Sequence, residues 1–290
     1  MRAPVNGIEI EYQTFGDPAD PPLLLVMGLG AQMIWIHEDF CEGLVDRGFF
    51  VVRFDNRDVG ASTWIDSDVD AGTAILALLS GEAVEVPYSL ADMADDAWGL
   101  CDHLGLDRAH LFGVSLGGMI AQQMAIDRPA RVAGLTSLMS TTGDPDVGQP
   151  VPEALEALVE APPPDREGYV ASTVRSGTLL AGPEHCDLDW IEERNALAWD
   201  RGYNPRASGH QLLAMLSSPA RCEGLRAIDV PAVVVHGELD PLIDVSGGER
   251  TAECLRAEFV RLDGMGHDLP RYYWATVIHH VVALASRAAG

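Results

Sequence analysis

The stretch His110-Leu111-Phe112-Gly113-Val114-Ser115-Leu116-Gly117-Gly118 decides how the rest of this chain is read. Its first five residues form a short apolar run of the kind buried in a parallel sheet. From Leu116 to Asp127 the pattern turns helical, and Pro129 ends it. Between the two lies Gly-x-Ser-x-Gly, a serine flanked by glycines in a turn too tight for side chains. With 29 glycines and 14 serines in the chain, composition alone would supply about 0.14 such matches, so the motif needs its setting. That setting of strand, sharp turn and helix is a nucleophile elbow, which lifts a serine hydroxyl to the carboxyl edge of a sheet over a helix N-terminus.

Further apolar runs lie on either side. Pro22 to Met27 is one, followed by Gly28-Leu29-Gly30, and Phe49 to Phe54 is another, followed by Asp55-Asn56-Arg57-Asp58. Val132 to Met139, Pro231 to Val235 and Phe259 to Leu262 complete the set. Continuous apolar strands separated by helical stretches predict an α/β architecture, a mostly parallel central sheet covered by helices on both faces. Gly7 to Phe15 alternates and predicts an antiparallel edge hairpin. Ser89 opens a helix that runs to Leu104, where Gly105 stops it, and Tyr272 to Ala288 forms a last packing helix. Between about 143 and 221 the rhythm breaks into Pro-rich connectors around three helical patterns, Glu153 to Glu160, Asp187 to Asp200 and Arg206 to Leu216. This predicts a core made of residues 1–142 and 222–290, with 143–221 as a helical cap past a strand end, where ligands bind in open α/β sheets.

A serine hydroxyl needs a base to become a useful nucleophile. His267, in Leu262-Asp263-Gly264-Met265-Gly266-His267, leaves a strand through a Gly-rich turn and is the candidate base. Asp240 lies just past Val233 to Val235 and is the candidate acid that orients the imidazole; Asp244, Glu238 and Asp144 are rivals nearby. The backbone amides of Leu29 and Leu116 are candidate oxyanion donors. Met33, Trp35 and Trp190 are candidate pocket residues. The Arg57-Asp58 pair reads as scaffolding at a strand end.

Charge and composition narrow the function further. A formal net charge of −25 disfavours nucleic acid. All basic residues are arginine, which excludes a lysine Schiff base and a Walker-type phosphate loop. No apolar run is long enough for a membrane span, and the start Met1 to Gly7 lacks the apolar core of a secretory signal, so a cytoplasmic enzyme is expected. Cys41, Cys101, Cys186, Cys222 and Cys254 show no metal-like spacing and are expected to be reduced, partly buried thiols. No metal site and no cofactor are expected.

These residues resemble the α/β-hydrolase carboxylesterases over nearly the full chain, and most of all the subgroup that contains aclacinomycin methylesterase. The carriers are Leu24-Leu25-Val26-Met27-Gly28, Asp55-Asn56-Arg57-Asp58-Val59-Gly60-Ala61-Ser62-Thr63, Gly113-Val114-Ser115-Leu116-Gly117-Gly118 and Gly264-Met265-Gly266-His267-Asp268-Leu269-Pro270. The resemblance implies the α/β-hydrolase fold, the triad Ser115, Asp240 and His267 in that chain order, oxyanion amides on Leu29 and Leu116, and a small-molecule ester as substrate. It also admits a cofactor-free perhydrolase or a C–C hydrolase on the same triad, or a ligand-binding member without turnover. Meta-cleavage C–C hydrolases resemble a pattern with Trp after the histidine, where this chain has Asp268.

Overall fold

A computed structural model describes residues 1–160 and 163–288. The chain opens with β1 (Arg2–Val5), β2 (Ile8–Phe15) and β3 (Pro22–Val26). Next come α1 (Glu38–Val45), β4 (Phe50–Phe54), α2 (Ala71–Leu79) and α3 (Leu90–His103). The middle of the chain is β5 (Ala109–Val114), α4 (Leu116–Asp127) and β6 (Val132–Leu138). A helical segment follows: α5 (Pro152–Val159), α6 (Arg166–Ala181), α7 (Leu188–Gly202) and α8 (Ala207–Leu216). The chain then returns to the sheet through α9 (Cys222–Ala227), β7 (Ala232–Gly237), α10 (Val245–Leu255), β8 (Glu258–Leu262) and α11 (Arg271–Ala288).

The strands form one sheet in the order β1-β2-β4-β3-β5-β6-β7-β8. β1 and β2 pair antiparallel, so the edge hairpin takes Arg2–Val5 as its first strand, and the stretch Gly7 to Phe15 expected to form it supplies only the end of the turn and the second strand. β2 also pairs antiparallel with β4, and every other pairing is parallel. β5 lies between β3 and β6 and is buried along most of its length, which suits its unbroken apolar run. Two apolar layers cover the two faces of the sheet. Trp98, Ile120 and Met124 belong to one, and Phe40, Leu44 and Val277 to the other.

Helix α3 begins with a capping box: the Ser89 hydroxyl accepts from the Asp92 amide while the Asp92 carboxylate accepts from the Ser89 amide. The loop after β4 is scaffolding. Arg57 holds Asp96 at 2.6 Å, and the buried Asp58 carboxylate accepts from Tyr88 Oη at 2.7 Å and meets His210 Nδ1 at 2.9 Å. Asp55, also buried, accepts from the Met33 amide at 2.7 Å and from Arg201 of α7 at 2.8 Å. The helical segment is therefore fastened to the end of β4.

The expectation of reduced cysteines needs correcting. Cys222 at the start of α9 and Cys254 near the end of α10 form a disulfide, their Cα atoms 5.3 Å apart. The two positions are 32 residues apart in sequence, and only the packing of α9 on α10 makes them neighbours. Cys41 and Cys101 are free and buried, and burial pushes each thiol up to about 12. No helix among the described residues is long and apolar enough to cross a membrane.

Candidate active site

Ser115 sits on the turn from β5 into α4 with φ 55° and ψ −120°, a conformation that L side chains rarely adopt. Its amide donates to Leu138 O at 2.9 Å, and its carbonyl accepts from Ser140 Oγ at 2.8 Å, so the turn is tied to β6. The neighbouring glycines are required by contact rather than by backbone angle. A Cβ on Gly113 would strike the Gly117 carbonyl, and one on Gly117 would strike the Val26 carbonyl. α4 can begin directly beneath Ser115 only because these backbones touch.

His267 lies on the loop after β8, and Asp240 on the turn after β7, where parallel strands end side by side. His267 Nε2 stands 3.0 Å from Ser115 Oγ, and His267 Nδ1 stands 2.7 Å from Asp240 Oδ2. An ionised carboxylate can only accept, so Nδ1 carries the proton and the Nε2 lone pair faces the serine hydroxyl. Burial by itself would raise the Asp240 carboxyl. The charge of His267 and hydrogen bonds from His236 and His267 outweigh it and hold Asp240 well below the usual carboxylate range. The Leu242 and Ile243 amides also donate to Asp240 Oδ1, at 2.9 and 2.8 Å.

The rival acids are elsewhere employed. Asp244 caps α10 by accepting from the Ser246 amide, Asp144 accepts from Thr142 Oγ1, and Glu238 stands 3.6 Å from Arg261. Leu116 is the first residue of α4, so its N–H has no acceptor within the helix. Gly28 brings the loop of Leu29 close: a Cβ there would lie 3.3 Å from Ser115 Cβ.

A cavity of about 120 Å³ opens on Ser115 and His267. Leu29, Trp35, Val114 and Met139 form its floor and sides, while Leu158 of α5, Leu180 of α6 and Arg194 of α7 close it from the helical segment. Of the three pocket residues expected from sequence, only Trp35 lines this cavity. Met33 is buried, its amide bound to Asp55, and Trp190 packs edge-on against His37 at 4.6 Å between ring centroids.

Several neighbours of the site have no local signal in sequence. Asp240 has a second histidine against it: His236 Nε2 lies 3.3 Å from Asp240 Oδ2 and 2.8 Å from the Ile243 carbonyl. His236 stands on β7, and its apolar flanks at Val233 to Val235 and Gly237 give no hint of a role. Arg194 of α7 pairs with Asp268, the residue after His267, at 3.0 and 3.2 Å.

Residues 21–270 match the family model described as alpha/beta hydrolase fold. The chain is 28% identical over 277 residues to rhodomycin D methylesterase of Streptomyces peucetius, covering 88% of this chain and 87% of that protein. It is 37% identical over 274 residues to a putative carbamate hydrolase of Caulobacter vibrioides, covering 89% and 88%. Among solved structures, the meta-cleavage product hydrolase of Pseudomonas fluorescens IP01 superposes with a TM-score of 0.78 at 17% identity, covering 99% of this chain and 98% of that one. Eight strands in this order, an elbow at Ser115 and a family match over most of the length lead to one conclusion: the chain belongs to the alpha/beta hydrolase fold family.

Proposed function

We propose that the protein is a carboxylic ester hydrolase that works through an acyl-enzyme on Ser115. The observation that carries the reading is the unbroken run from Ser115 Oγ to His267 Nε2 at 3.0 Å and from His267 Nδ1 to Asp240 at 2.7 Å. His267 takes the hydroxyl proton as Oγ attacks the ester carbonyl. The amides of Leu29 and Leu116 hold the resulting oxyanion, each donor contributing about 3–4 kcal/mol to the barrier. Collapse breaks the ester bond, and the proton on Nε2 passes to the departing alcohol. A water then repeats the sequence against the acyl-enzyme, losing its proton to His267 and releasing the acid.

Helices α5 to α8 act as a cap in this reading, and the cavity beneath them bounds the acyl group. At about 120 Å³ it is smaller than a cavity of about 150 Å³ that admits benzene. Its lining is mainly apolar, so a short uncharged acyl group is the fitting occupant. The acyl group stays through both half-reactions while the alcohol must leave, so the enclosed space belongs to the acyl side.

A fluorophosphonate probe should label Ser115, and Ser115→Ala should abolish labelling and lower ester turnover by roughly 10⁴-fold or more. A series of nitrophenyl esters should give the highest kcat/KM at about four to six acyl carbons, with methyl esters of bulky polycyclic acids far behind. A folded protein whose Ser115 does not react would remove the esterase reading and leave a ligand-binding one.

A further inference from the structure

We infer that the buried Arg194–Asp268 pair is a positioning device, fastening α7 to the loop of His267 and balancing the charge beside that imidazole. The inference rests on His267 being the base.

Two backbone contacts join the same surfaces. The His267 amide donates to Leu180 O at 2.6 Å and the Gly266 amide to Ala181 O at 3.1 Å. Leu180 and Ala181 end α6, where carbonyls have no partner within the helix. The loop amides supply that partner, so the helix end and the loop of the base complete one another. Gly266 needs no left-handed backbone angle; a Cβ there would run into the Leu180 carbonyl and come within 2.7 Å of Ala181 O. Glycine is used because α6 lies directly on the loop.

Asp268 extends this junction to α7. Arg194 Nη1 and Nη2 donate to its two oxygens at 3.0 and 3.2 Å, and the guanidinium stacks over Trp35 at 4.0 Å from the ring centroid. The side chains are 3% and 8% exposed, so both charges have given up their water. A buried ion pair of this kind is poor evidence for stability, because desolvation consumes most of the attraction. A two-pronged guanidinium–carboxylate contact does fix direction as well as distance. Trp35, Arg194, His267 and Asp268 all line the cavity, so the geometry set by the pair is that of the substrate chamber.

Other titratable or charged groups around this loop are Asp240 with His236 behind it, Asp263 in the loop itself, Glu184, His185, Cys186 and Asp187 on the turn between α6 and α7, and Arg271 and Tyr273 on α11. They are common to every variant below, so comparison between variants isolates the pair. Removing Asp268 leaves a lone buried cation in the cavity that His267 also lines, and removing Arg194 leaves a lone carboxylate on the residue next to His267. A nearby cation disfavours imidazolium and a nearby carboxylate favours it.

The test is the pH profile of kcat/KM, measured on short nitrophenyl esters for wild type, Asp268→Asn, Arg194→Met and the double variant. The acid limb should move to lower pH in Asp268→Asn and to higher pH in Arg194→Met, each by roughly 0.5–1 pH unit. In the double variant the limb should return near its wild-type position while kcat stays at least about tenfold down, because the loop has lost its anchor. The double variant leaves no buried charge unpaired, so it remains decisive if a single variant does not fold. Wild-type kcat in the double variant would overturn the inference, as would single variants whose acid limbs stay in place. Fluorophosphonate labelling of wild-type Ser115 separates these outcomes from a failure of the esterase reading itself.

Discussion

At the scale of single residues, the nucleophile position shows strain and function meeting in one backbone. Ser115 holds φ 55°, and a non-glycine residue in such a region costs about 1–3 kcal/mol. Ser115→Gly should therefore melt higher than Ser115→Ala, by about 1 kcal/mol of stability, with neither variant hydrolysing esters. Equal melts would show that the turn is unstrained. Ser115, His267 and Asp240 were legible in sequence because each lies within five residues of the end of an apolar strand, and strand ends in a parallel sheet converge on one edge. His236 and Arg194 were not, since an isolated histidine in a strand and an arginine in a polar helix look like many others.

At the scale of elements, the strands were read closely and the helices unevenly. α4 and α8 follow the expected stretches to within a residue at either end, and the capping residue before α3 is Ser89 as expected. α6 was not anticipated: its buried positions are Tyr169, Ser172, Gly177 and Ala181, which form no apolar stripe. Helices α1, α2, α9 and α10 also went unread. The α9–α10 disulfide carries a prediction of its own. Closing a loop of 32 residues stabilises by about 3–4 kcal/mol through the unfolded chain. Reductant, or Cys222→Ser with Cys254→Ser, should lower the melt by roughly 5–10 °C. A melt unmoved by reductant would mean that the bridge adds nothing to stability.

At the scale of the whole molecule, buried ionisable groups set how the protein meets acid. Burial, with Arg108 nearby, lowers His110 to about 4 in the folded chain, against about 6.5 when unfolded. The unfolded chain thus takes the proton first, and stability present above about pH 6.5 is lost as pH falls toward 4, by up to about 3 kcal/mol. Asp240 acts in the same direction in a lower window. Its carboxyl is held below the usual range when folded, so its contribution is full above about pH 4 and disappears as pH falls further. His110→Phe should flatten the stability curve between pH 6.5 and 4 in chemical denaturation, leaving the loss below pH 4; an unchanged slope would show that His110 is not the group responsible. By itself, the sequence determined the sheet, the elbow and the three residues offered as a triad, because alternation, apolar runs and glycine turns act between near neighbours in the chain. Only the tertiary structure decided the cavity and its closure by α5 to α7, the second histidine on Asp240, the disulfide and the Arg194–Asp268 pair. Those contacts join residues that packing alone brings together, as with Arg194 and Asp268, 74 positions apart, and no local pattern encodes a partner at that distance.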